Sequence, residues 1–270
     1  MKNLERRIKS YMKKVWKAFN KMEMRVLPGN VAFFFVLALI PITTITLTIA
    51  SSFSISLNSV ISFIKDVLPD EAGKIIVDII SGKGFDESIG TFNILAFFVA
   101  TNGTYAIINA SNTLYKVDKS DALRERIKSI ILLLILILLI VFLIIVPVLG
   151  GTILNQIKDN DIIEKIKVIY HIFKWPFTFF MILTTLKLIY TIAPSKRIAS
   201  CTTTYGALFT TTCWTIATAI FSYYLKYFAD YNVIYGNLSS IIILMMWVYI
   251  ISYVFVMGIA INSVNLKEDK

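Results

Sequence analysis

The side chains that most often perform catalysis are scarce in this chain of 270 residues. It contains one histidine, His171, and two cysteines, Cys201 and Cys213, neither of which has a histidine nearby in the sequence. Cleavage of a phosphate ester needs a metal centre or a histidine or lysine acid–base pair, and zinc sites are built chiefly from histidine and cysteine. The sequence therefore predicts no catalytic residue, no metal site and no cofactor, and we do not expect an enzyme.

Neutral polar residues recur at helical spacing, and they are the best candidates for a binding function. One stripe follows steps of three and four residues and consists of Asn102, Tyr105, Asn109 and Asn112. A second stripe in a later segment includes Thr211, Thr215 and Thr218. In lipid such groups must face inward, where they either hydrogen-bond between helices or line a polar cavity for a headgroup. Both alternatives stay open at this stage.

Two basic residues are candidates for contact with an anionic headgroup. Lys187 lies about 10 Å before Pro194 along a predicted helix, and it either snorkels to the membrane interface or faces the headgroup. Arg197 follows Pro194 at the same end. No Asp or Glu lies inside any predicted membrane span. Because ion-coupled pumps commonly hold carboxylates at membrane depth, this pattern disfavours proton-coupled transport.

These residues require a membrane-embedded framework. Hydrophobic residues make up 57% of the chain and charged residues 16%, against roughly 25% charged in soluble domains, so a water-soluble fold would expose too much apolar surface. Six segments are long and apolar enough to cross about 30 Å of hydrocarbon. They lie at 30–53, 90–112, 127–150, 168–193, 203–228 and 237–264. The predicted fold class is all-α, a polytopic membrane bundle of six transmembrane helices covering 30–265.

Two amphipathic segments are predicted outside the spans. Residues 1–29 combine nine basic residues with apolar residues at steps of three and four, which predicts a cytoplasmic helix lying in the membrane interface. We expect the pair Pro28-Gly29 to end this helix. Residues 54–89 predict a short helical hairpin on the outer side of the membrane.

The net charge of +10 is distributed as a membrane topology requires. With the N-terminus inside, the predicted cytoplasmic segments hold 18 Lys and Arg residues and the outer segments hold eight. The positive-inside rule therefore predicts both termini in the cytoplasm. Since this charge faces the inner leaflet, we expect contact with membrane lipids and no nucleic-acid partner.

Several short motifs occur in an order that is typical of a known family. The matching residues are Pro41, Pro194, Gly206, Tyr235, Gly236, Gly258 and Asn262. Over residues 25–265 the chain resembles the YihY/BrkB family of bacterial inner-membrane proteins, formerly mislabelled ribonuclease BN. The resemblance implies six spans, cytoplasmic termini and a role in envelope integrity or in lipid or solute export. The family often has Glu where this chain has Ala260, which puts any function of that Glu in doubt here.

Two functions are consistent with these patterns. The first is a transporter or flippase-like exporter of an envelope lipid or amphiphile in the bacterial inner membrane. The alternative is a non-transporting scaffold that docks envelope proteins through its outer hairpin or its N-terminal helix. Ribonuclease activity is not expected.

Overall fold

The computed structural model describes residues 22–52, 89–117, 121–156, 160–227 and 236–265, together with a few isolated positions between 13 and 77. Within these ranges the regular elements are six long α-helices and one short 3₁₀ helix, which confirms the all-α class. The α-helices are α1 (Glu23–Ser52), α2 (Ile89–Tyr115), α3 (Ala122–Gln156), α4 (Asn160–Ile192), α5 (Thr204–Tyr227) and α6 (Ser239–Asn265). Most of the predicted hairpin up to residue 88, most of residues 1–21, and Tyr235 lie outside the described residues.

Helix α1 continues through Pro28 and Gly29, so the helix end predicted at this pair is wrong. Pro28 lacks the N–H that would bond the carbonyl four residues earlier, which costs about 3 kcal/mol or more inside a helix. Met24, Leu27 and Val31 are nevertheless buried in the core on either side of the proline. Burial of each such side chain stabilises by about 1.5–3 kcal/mol, and together these residues outweigh the cost of the proline.

The centre of the bundle is an aromatic cluster around Phe255 of α6, which is 1% exposed. Its ring centroid lies 5.0 Å from that of Tyr190 on α4 and 6.3 Å from those of Trp214 on α5 and Phe35 on α1. Four helices therefore meet at one side chain. Aromatic pairs at these separations add to the stabilisation that burial supplies.

The outer surface of the bundle is apolar on several helices. On α3 the exposed apolar residues recur at steps of three and four and are Leu123, Ile127, Ile131, Leu134, Leu138 and Phe142. An exposed apolar stripe of this length is typical of contact with lipid. Among the described residues one helix, Ser239–Val264, is long and apolar enough to cross a membrane, and a shorter apolar helical segment covers Pro176–Ile192. The count of six spans stays a prediction.

Candidate functional site

A buried carboxylate lies at the junction of α2 and α3. Glu125 is 9% exposed and belongs to the first turn of α3. Its Oε1 accepts a hydrogen bond of 2.9 Å from Asn112 Nδ2, and the Tyr105 hydroxyl lies 3.5 Å from Oε2. Two residues of the predicted α2 stripe therefore meet at one charged group on the neighbouring helix.

Asn112 also ties the segment that follows α4 to this junction. Its Oδ1 accepts the backbone N–H of Ser195 at 2.7 Å, and its Nδ2 lies 3.0 Å from the Ser195 hydroxyl. The Lys128 ammonium donates to the carbonyl of Pro194, the buried residue immediately before Ser195. One asparagine thus uses both ends of its amide to connect three parts of the chain, and it is 6% exposed.

A second charged residue of α3 reaches the other end of the α2 stripe. Arg126 Nη1 donates to Asn102 Oδ1 at 2.8 Å, and both residues are half-buried. Between the two ends, the Thr104 hydroxyl donates to the Ser129 carbonyl at 2.7 Å. The contacts Asn112–Glu125 and Thr104–Ser129 show that going back along α2 corresponds to going forward along α3, so the two helices run antiparallel.

The remaining predicted site residues have different surroundings. Asn109 is exposed. On α5 the buried Thr211 donates to the Ala207 carbonyl at 2.9 Å and the exposed Thr215 donates to the Thr211 carbonyl at 3.0 Å, so both hydroxyls are satisfied within their own helix. Thr218 is half-buried.

The two predicted headgroup contacts lie at and beyond the end of α4. Lys187 is half-buried on that helix, and Arg197 is exposed two residues after Ser195. Arg197 therefore lies close in sequence to the segment that Asn112 holds, whereas Lys187 lies two turns earlier on α4.

The motif glycines mark a close crossing of α5 and α6. A β-carbon on Gly206 would overlap the Gly258 carbonyl and the Asn262 side chain, and one on Gly258 would overlap the Thr210 hydroxyl and the Tyr190 hydroxyl. Asn262 is fully buried, and its Oδ1 accepts the Gly206 N–H at 2.8 Å. This N–H belongs to the first turn of α5 and has no partner within that helix, so a side chain of α6 caps α5.

The other motif residues have structural surroundings as well. Pro41 is buried inside α1. Gly236 begins the 3₁₀ helix with a φ of 53°, a left-handed conformation that favours glycine. Ala260 is fully buried in the main core cluster. Its methyl group therefore contributes to apolar packing.

Sequence reasoning missed Glu125, Arg126 and Thr210. Glu125 falls between the predicted spans 90–112 and 127–150, although it lies on the buried face of α3 one turn before Ser129 and two turns before Leu132. Extending the period of that face backwards from the apolar run would have identified it. Periodicity carries no comparable signal for Arg126, since the direction of a long side chain depends on its tertiary partners.

Comparison with known proteins gives one family and several relatives. The model of the family described as Virulence factor BrkB matches residues 15–270. Putative ribonuclease-like protein YfkH of Bacillus subtilis (strain 168) is 26% identical over 269 residues, 97% of each chain. UPF0761 membrane protein NTHI0384 of Haemophilus influenzae (strain 86-028NP) is 22% identical over 267 residues, 92% of each chain. A UPF0761 membrane protein of Coxiella burnetii (strain RSA 493 / Nine Mile phase I) is 33% identical over 84 residues, 31% of this chain and 30% of the relative. No solved structure matches the chain.

Proposed function

Since this chain belongs to the Virulence factor BrkB family and is a membrane protein, we propose that it moves a lipid or another amphiphile of the bacterial envelope across the cytoplasmic membrane. The family match confirms the resemblance that the sequence motifs indicated. The ribonuclease-like name belongs to the Bacillus subtilis relative. The proposal for this chain is transport without catalysis, with membrane lipids as its partners.

The proposal includes six spans with both termini in the cytoplasm. Six long helices cover most of the six predicted segments, and 18 of the 27 Lys and Arg residues fall on the side assigned to the cytoplasm. In this topology the α2–α3 connection and the segment around Pro194 both face the cytoplasm. The Glu125 junction then lies at the inner mouth of the bundle.

The observation that carries the proposal is the pairing of the α2 stripe with charged side chains of α3. Neutral polar residues that only hold helices together need no charged partners. Here Asn112 meets a carboxylate and Asn102 meets a guanidinium, about 15 Å apart along α2. A polar seam with both signs of charge offers an amphiphile's headgroup a path along the α2–α3 interface while its apolar tail stays in lipid.

A lipid-flipping assay on the full chain tests this proposal. The purified protein is placed in vesicles of phosphatidylethanolamine and phosphatidylglycerol that contain nitrobenzoxadiazole-labelled phosphatidylethanolamine. Dithionite then bleaches the label in the outer leaflet, with and without an imposed pH gradient. We expect the protein to accelerate loss of the protected label relative to empty vesicles, and we expect Asn102→Leu to slow this loss about tenfold because it removes a hydrogen bond to a charged group.

The matched control is Thr184→Leu. Thr184 is exposed on α4 and its hydroxyl bonds the Phe180 carbonyl of its own helix at 2.8 Å, so this change adds the same apolar side chain away from the seam. The control variant should retain the wild-type rate. Wild-type protein that moves label no faster than empty vesicles, or equal slowing by both variants, would contradict the proposal.

A further inference from the structure

We infer that Arg126 and Asn102 form a binding site for a phosphate oxyanion on the molecule that the protein moves. This inference deepens the proposed function and rests on it. The site consists of a half-buried guanidinium on α3 and a half-buried amide on α2, joined by the 2.8 Å hydrogen bond from Arg126 Nη1 to Asn102 Oδ1.

The direction of the Arg126 side chain is the first argument. The bond from Thr104 to Ser129 sets the level at which α2 and α3 are side by side. On α3, Arg126 lies three residues before Ser129, on the side of the α2–α3 connection. On α2, Asn102 lies two residues before Thr104, on the side away from that connection. The guanidinium therefore reaches about 7 Å away from the connection, deeper between the helices than its own Cα.

This direction is the opposite of the usual one. Side chains on a helix lean towards its N-terminus, which for Arg126 means towards the connection. A cation near the end of a membrane helix also normally snorkels outwards, to the polar interface. Both tendencies would carry the charge of Arg126 towards the cytoplasmic rim. The guanidinium instead lies farther from the α2–α3 connection than its own Cα does.

The second argument is the number of N–H donors in the pair, for which the described residues supply one acceptor. A guanidinium carries five N–H donors, and in the described part of the chain its hydrogen-bond acceptor is the neutral Asn102 Oδ1. The adjacent carboxylate, Glu125, accepts from Asn112 on a different part of α2. The Nδ2 of Asn102 carries two further N–H donors beside the guanidinium. Such a set of donors and one positive charge fits a phosphate group, which arginine binds through paired hydrogen bonds.

Binding of phosphatidylglycerol to the purified full chain in detergent tests the site by native mass spectrometry. Arg126→Gln removes the charge and should weaken binding at least about tenfold, the effect expected for loss of a charge-assisted hydrogen bond. The matched control is Arg124→Gln, which removes the same charge from an exposed position two residues earlier on α3. The control variant should bind as the wild type does.

A second pair of variants keeps the test independent of any loss of folding by Arg126→Gln. Asn102→Asp places a carboxylate directly on the guanidinium and should exclude phosphate by occupying its donors. Thr113→Asp adds the same charge at an exposed position of the same helix and should leave binding unchanged. Inorganic phosphate is added as a competitor: displacement of the lipid identifies a site for free phosphate, and continued lipid binding identifies a site for the phosphodiester of a lipid.

Equal binding of phosphatidylglycerol by Arg126→Gln and Arg124→Gln would contradict the proposed site. Equal binding by Asn102→Asp and Thr113→Asp would contradict it as well. The flipping assay separates this result from failure of the proposed function. If the protein binds phosphatidylglycerol through Arg126 but moves no labelled lipid, the anion site is supported and the proposed transport function is contradicted. If Arg126→Gln moves labelled lipid as fast as the wild type does, the transport function is supported and the anion site is contradicted.

Discussion

The hydroxyl of Tyr190 connects three helices through one proton and one lone pair. It donates to the Phe255 carbonyl on α6 at 2.8 Å and lies 2.8 Å from the Thr210 hydroxyl on α5. Since the tyrosine proton is used on the carbonyl, Thr210 is the donor of the second bond. Tyr190 itself is 1% exposed on α4. A buried hydroxyl that satisfies partners on two other helices fixes the relative position of all three.

Tyr190→Phe should therefore destabilise the protein by about 1–3 kcal/mol, because it leaves buried polar groups without their partner while keeping the ring. We expect the midpoint of thermal unfolding in detergent to fall by several degrees. The control is Tyr249→Phe, which removes the hydroxyl of a tyrosine that is 46% exposed. Equal melting temperatures for the two variants would show that the Tyr190 hydroxyl contributes nothing to the packing of α4 against α5 and α6.

At the scale of elements, the crossing of α5 and α6 depends on two glycines in contact. The Gly206 carbonyl lies 3.0 Å from where a β-carbon of Gly258 would be, which is closer than side chains normally approach backbone. This close approach lets the Asn262 amide oxygen accept the Gly206 N–H in the first turn of α5. It also lets the Tyr190 hydroxyl donate to the Phe255 carbonyl of α6. Small residues that allow backbones to touch are a common means of joining helices in membranes.

Gly258→Ala should force the two helices apart, because its methyl group would overlap the Thr210 and Tyr190 hydroxyls. We expect a loss of about 1–3 kcal/mol, the range for overpacked cores, measured as lower thermal stability and lower yield of monodisperse protein. Gly29→Ala is the matched control, since a β-carbon there meets nothing within 4 Å and alanine favours the helix. A Gly258→Ala protein as stable as Gly29→Ala would mean that the crossing is looser than the geometry of these residues requires.

The sequence predicts the helices well and their ends and partners less well. Long apolar runs locate α3 and α6 because a stretch of about 20 apolar residues is long enough to cross the hydrocarbon core as a helix. The continuation of α1 through Pro28 was missed, since it depends on burial of Met24 and Val31 by other helices. The α2 stripe could be identified from spacing alone. Its pairing with Glu125 and Arg126 could not, because spacing within one helix carries no information about the register of a neighbour.

At the scale of the whole molecule, charge separates the two ends of the bundle. The basic connection before α3 and the segment after α4 lie at the same end, since Asn112 holds Ser195 and Lys128 donates to Pro194. The positive-inside rule predicts that a basic end of this kind faces the cytoplasm. The side of the membrane on which this end lies therefore also decides from which side the Arg126 site receives its ligand.

The two native cysteines allow this orientation to be measured. Cys201 is exposed, four residues after Arg197, and Cys213 is half-buried inside α5. In a Cys213→Ala variant we expect a membrane-impermeant maleimide to label Cys201 in inside-out vesicles and to leave it unlabelled in intact cells stripped of their wall. A second variant that lacks both native cysteines and carries Lys158→Cys, in a segment predicted to be outside, should label in the opposite pattern. Labelling of Cys201 from the outside would invert the topology, and because Asn112 ties this segment to the α2–α3 junction, the entrance to the Arg126 site would then face the cell exterior.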